Sequence, residues 1–224
     1  MSETVDKYRA FKSNLPSQLT LVAVSKTKPR EEILALYNLG HRIFGENKVQ
    51  ELLSKAESLP NDIQWHMVGH LQRNKVKYVA PFIAMIHSVD SMKLLETIEK
   101  EGEKVGKRID CLLQVHIAME DTKFGFSEDE VFELAKSNDI VKYQYVNIRG
   151  LMGMGTFTDN IEKVRQEFRN LKTIFDRIKN IPSFNRSDFD QISMGMSNDY
   201  PVAIEEGSTM IRIGSSIFGE RNYQ

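Results

Sequence analysis

The run "LVAVSKTKP", Leu21 to Pro29, ends an apolar, strand-like segment on Lys26 and sets Lys28 just before a proline. An amine in that position is either the wet end of an ordinary strand, as most lysines are, or a nucleophile aimed into a site. Side chains alternate along a strand, so Val22, Val24 and Lys26 share one face and Leu21, Ala23 and Ser25 the other. A second cation, Arg212, stands in "TMIRIG" on the same face as Met210. Two turns rich in glycine and serine, "SMGMSNDY" and "RIGSSIFG", add Ser197 ahead of a short helical stretch and Gly214, Ser215 and Ser216 at the opening of the next turn. Such turns and helix starts expose unpaired N–H groups, which suits a phosphate, although each turn alone is commonplace. A lysine for an aldehyde, an arginine for a ring nitrogen and a cradle for a phosphate together describe pyridoxal 5′-phosphate (PLP).

Positioning these groups requires a fold that brings residues 26, 197 and 212 to one place. Eight short apolar segments read as strands: "TLVAVS", "HRIFG", "IQWHMVG", "FIAMIHSV", "DCLLQVHI", "VNIRGLMGM", "DQISMGM" and "TMIRIG". Amphipathic stretches lie between them. Pro29 fits a first helical position and Gly40 a helix stop, while Ser127 with Glu130 forms a capping box. Strands alternating with helices imply parallel pairing, and eight such units predict one α/β domain over residues 1–224, a closed (β/α)8 TIM barrel. The sequence ends soon after the eighth strand, so the helix predicted over Glu3 to Asn14 is expected to cover the incomplete eighth unit. In such a barrel strand eight lies beside strand one. Lys26 and Arg212 would then line one mouth, where two like charges help depress the lysine pKa and favour the neutral amine.

Composition narrows the function classes. With 41% hydrophobic and 27% charged residues the chain can bury a core, and a net charge of −1 argues against nucleic acid or an anionic membrane as partner. The single cysteine, Cys111, lies in an apolar segment and reads as a buried small hydrophobe, which excludes a disulfide framework. No signal-like apolar stretch opens the sequence, so a cytoplasmic protein is expected. A monomer is also expected. His66 and His70 have a spacing that binds zinc on a helix, but Gly69 and a strand-to-loop change intervene, so no metal site is expected and His66 reads as a satisfied barrel histidine. The basic run "QRNKVKY" reads as a solvated helix face. The methionines of "GLMGMG" and "SMGMS" suit either packing or a flexible pocket wall.

The motifs "AVSKTKP", "FGEN" with "VQE", "WHMVGHLQRNK", "RGLM", "SMGMS" and "MIRIGSSIFG" resemble the pyridoxal-phosphate homeostasis protein family, in order and over nearly the whole chain. That family is similar to the barrel domain of bacterial alanine racemase. The resemblance implies PLP bound to Lys26 as a Schiff base, phosphate contacts from Ser197, Gly214 and Ser215, Arg212 facing the pyridine nitrogen, and Asn47 lining the pocket. Lys28, held extended by Pro29, is expected at the rim. One departure is His116, where the family pattern has asparagine. Racemases of the resembling type draw a second base from a further domain, for which this sequence has no residues left. The resemblance therefore implies a carrier of PLP in intracellular homeostasis, passing it to PLP-free enzymes without robust catalysis. The alternative is a PLP-dependent amino-acid racemase, and a third reading, a Schiff-base aldolase, leaves Arg212 without a role.

Overall fold

The computed structural model describes residues 3–118, 124–137 and 139–219. Helix α1 (Glu3–Ser13) opens the chain, followed by β1 (Thr20–Val24), α2 (Arg30–Asn38), β2 (Ile43–Glu46), α3 (Val49–Ser58) and β3 (Gln64–Met67). Then come α4 (Val76–Val79), β4 (Met85–Val89), α5 (Met92–Val105), β5 (Ile109–Gln114) and α6 (Glu128–Lys136). The last part holds β6 (Val146–Met152), α7 (Ile161–Lys179), β7 (Gln191–Ser193), α8 (Tyr200–Glu205), β8 (Met210–Ile213) and a single-turn α9 (Ser215–Phe218). The strands form a closed barrel in the order β1 to β8, and β8 returns to pair in parallel with β1. This is the expected (β/α)8 barrel.

Local chemistry sets the helix ends. The Ser91 hydroxyl accepts from the Leu94 N–H to start α5, and Gly106, at φ 62°, ends it in the left-handed conformation that glycine tolerates. Both halves of the Ser127–Glu130 capping box are present at α6. Pro29 is one residue outside its expected place: at ψ 159° it flanks α2 instead of entering it. Strand β1 also stops earlier than expected, at Val24, so Lys26 belongs to the turn after it.

Strand parity divides the core. Val22, Met85, Leu112, Met152 and Met210 meet inside the lumen, while Leu21, Ala23, Phe44, Trp65 and Ile211 face the helix layer. Cys111 is fully buried in that outer layer, and burial raises its thiol pKa, so it behaves as a hydrophobe. Helix α1 covers the seam between β8 and β1 by packing on α9 and α2. There Phe11 meets the Tyr200 ring at 5.0 Å, and the Tyr8 hydroxyl lies 3.2 Å from His41 Nδ1. Among the described residues no helix is long and apolar enough to cross a membrane.

His41 makes this seam sensitive to acid. Its Nε2 lies 2.8 Å from the Ile43 carbonyl, which requires N–H there and leaves Nδ1 to accept from Tyr8. Burial first, opposed by the Ile43 bond and aided by the Lys12 and Arg42 charges, lowers its pKa from 6.5 to about 4. The unfolded chain takes up this proton near pH 6.5 and the folded chain only near 4, so His41 costs no stability above 6.5 and destabilises as pH falls through that window. Urea unfolding at several pH values should show His41→Asn losing stability with acid more gently than wild type, by about 1 kcal/mol per pH unit. Equal slopes in the two proteins would contradict this role.

Candidate functional site

Above the apolar floor of the lumen lies a polar layer built by four strands. Arg212, on β8 and only 5% exposed, donates through Nη1 to the Ser193 carbonyl at 2.8 Å and hydroxyl at 2.6 Å, and through Nη2 to the Gly153 carbonyl at 3.0 Å. These bonds use three of the five guanidinium N–H groups, and the other two have no partner among the described residues. Burial lowers the Arg212 pKa to about 10, against the pull of the Asp199 carboxylate, and the side chain stays charged at neutral pH.

From Ser193 the layer crosses the lumen. Ser193 Oγ lies 3.0 Å from His87 Nδ1 on β4, and His87 Nε2 lies 2.9 Å from His66 Nδ1 on β3. Arginine can only donate, and the Ser193 hydroxyl has no other acceptor among the described residues, so it donates to His87. Both imidazoles then carry their hydrogen on Nε2. Burial keeps them neutral, lowering His66 to about 3 and His87 well below 6.5, the latter helped by His66 and Arg212. His66 is thus a buried barrel histidine bonded through Nδ1, whereas His70 sits at the rim 3.0 Å from Asp90. The two histidines do not converge.

The phosphate loops also meet. Ser197 Oγ accepts, at 3.5 Å, from the N–H of Ser216, beside Ser215 at the start of α9. Gly214 precedes this turn, and a Cβ there would stand 3.3 Å from the Val24 carbonyl oxygen. Gly195, at φ 99°, tightens the preceding loop, where a Cβ would come within 2.7 Å of Ala203 Cβ. The two methionine pairs divide between the readings: Met152 and Met194 are buried, while Met154 and Met196 are exposed beyond the strand ends. Asn47 follows β2 on the lumen parity of Ile43 and Gly45, and Gly69 packs so closely that a Cβ would lie 2.4 Å from the Asn47 carbonyl oxygen.

Lys26 sits half-buried in the turn after β1. Lys28 differs from expectation: its Nζ donates at 2.7 Å to the Phe218 carbonyl, tying the turn to α9 instead of lying loose at the rim. Behind the turn is a cluster the sequence reading missed. Lys55 Nζ donates at 2.7 Å each to the Ser25 carbonyl, Glu46 Oε1 and Glu51 Oε1. Glu46 is fully buried, and burial raises its pKa more than Lys55 and Ser25 lower it. The available signal was Lys55 itself, a charge three residues after Leu52 on the buried stripe of α3.

Both the sequence and the barrel have relatives among known proteins. A family model described as "Alanine racemase, N-terminal domain" matches residues 4–222. The Pyridoxal phosphate homeostasis protein of Aquifex aeolicus is 40% identical, over 91% of this chain and 87% of its own. That of Vibrio alginolyticus is also 40% identical, over 93% of this chain and 89% of its own. PipY of Synechococcus elongatus, solved with PLP bound, superposes with a TM-score of 0.84 at 31% identity, covering 97% of this chain and all of that one.

The polar layer yields a direct check. Ser193→Ala removes an acceptor from Arg212 and the donor to His87, and should cost about 1–3 kcal/mol in urea unfolding. Nitrogen NMR of the wild type should find both rings neutral with hydrogen on Nε2; an Nδ1–H tautomer at His87 would contradict the chain of bonds.

Proposed function

This chain belongs to the pyridoxal phosphate homeostasis protein family, and we propose that it holds PLP at the barrel mouth through Lys26 and passes it to enzymes that need it, without robust turnover of its own. The observation that supports this most is the meeting of the Lys26 turn, the buried Arg212 and the Ser197–Ser216 contact at one end of one barrel. The residues fit the group. A charged donor with N–H groups to spare suits a pyridine nitrogen, and the two serine loops, with Gly214 packed close against the end of β1, suit a phosphate.

PLP supplies an aldehyde that condenses reversibly with an amine to a Schiff base, a bond suited to storage and release. Lys26 offers that amine. Arg212 points a permanent donor at the ring nitrogen and keeps it unprotonated, because a guanidinium does not give up its hydrogen. Ser197, Ser215 and the Gly214 backbone hold the phosphate, and Asn47 lines the wall beyond β2.

The decisive test mixes PLP-loaded protein with a PLP-free acceptor enzyme and follows recovery of that enzyme's activity, with alanine supplied in a parallel sample. Recovery without alanine racemisation is expected; brisk racemisation would replace the carrier with a racemase. A second expectation concerns the cradle. Each serine hydroxyl bound to a phosphate contributes about 1.5–3 kcal/mol, so Ser197→Ala with Ser215→Ala should weaken PLP binding about a hundredfold or more. Unchanged affinity in a PLP titration would put the phosphate elsewhere.

A further inference from the structure

The turn that carries Lys26 is strained. The Lys28 N–H donates to the Ser25 carbonyl at 3.0 Å, which closes a four-residue turn with Lys26 and Thr27 at its centre. Thr27 has φ 65°, and it is the one non-glycine residue with positive φ in the described backbone. Turns with positive φ at the third residue ordinarily take glycine or asparagine, and a β-branched residue is the least suited to it. A strained backbone persists only where its surroundings over-determine it, and such places cluster at functional sites.

The surroundings here are specific. The Thr27 N–H donates to Glu51 Oε1 at 2.5 Å, and the Ser25 hydroxyl donates to Glu46 Oε1 at 2.6 Å. Lys55 bridges the two carboxylates and holds the Ser25 carbonyl as well, so each of its three ammonium hydrogens has an acceptor. The residues on both sides of Lys26 are therefore fastened to one ion-paired cluster rooted in β2 and α3. Because Lys26 is unbranched and flexible, its reach into the mouth is set by the backbone it leaves from.

We propose that Glu46, Glu51 and Lys55 form a positioning clamp that holds the Ser25–Lys28 turn in its strained form and so directs the Lys26 amine toward PLP. The inference rests on Lys26 being the PLP tether. The clamp touches no cofactor; it acts through the turn.

Glu51→Ala tests it with least risk to the fold, since Glu51 is partly exposed and the buried Glu46–Lys55 pair remains. The variant should melt as a folded protein and show faster amide hydrogen exchange at Thr27 without any cofactor. PLP titration should give an affinity about tenfold weaker. Adding Thr27→Gly should restore most of that affinity, because glycine adopts the positive φ unaided. Glu51→Ala with wild-type affinity and exchange, or a loss that Thr27→Gly does not repair, would overturn the clamp. Wild-type protein that fails to bind PLP would instead sink the cofactor reading, and the exchange arm would still judge whether the carboxylate holds the turn.

Discussion

Return of the eighth strand onto the first is the constraint from which the site follows. In the β1–β8 register Val22 lies beside Arg212, and both point into the lumen. The backbone two residues past the end of β1 then stands above a guanidinium fixed lower in the neighbouring strand. Nearly two hundred residues separate the two cations in sequence, and closure alone makes them neighbours. The loops after β7 and β8 are brought to the same rim by the same closure, and α1 completes the wall where α9 is a single turn.

Burying charge around this rim sets two different problems. In the lumen a permanent cation must be satisfied, and Arg212 finds two carbonyls and a hydroxyl whose own hydrogen runs on to neutral histidines. Among the described residues no carboxylate forms an ion pair with the guanidinium, and Asp199 acts on its charge only from further off. Between barrel and helices the problem is paired charge. There Glu46 and Lys55 compensate each other, and they hold the β1–α2 turn through the Ser25 hydroxyl, which donates to Glu46, and the Ser25 carbonyl, which accepts from Lys55. A guanidinium held by the barrel on one side and a braced β1–α2 turn on the other flank the mouth.

Much of this was legible in the sequence because strand alternation and barrel closure are strict geometric rules. Eight apolar segments, the lumen face of Val22 and Arg212, and the capping box at α6 follow from periodicity and local hydrogen bonding. The short strands were harder to delimit: nothing local shows that β1 ends at Val24, since the Ser25 N–H still donates one ladder bond to the Gly45 carbonyl. The Glu46–Lys55 cluster and the Ser193–His87 contact join residues 9 and 106 positions apart in the chain, and each looks ordinary alone. Lys55 and Glu167 both sit on buried stripes of their helices, and a polar residue on such a stripe is the trace a buried partner leaves.

The most direct measurement reduces PLP-loaded protein with borohydride and locates the modified residue by peptide mass spectrometry. The pyridoxyl group is expected on Lys26, in wild type and equally after Lys28→Ala, since the Lys28 amine is engaged with the Phe218 carbonyl. A label confined to Lys28, or no label at all, would contradict Lys26 as the tether on which the proposed function depends.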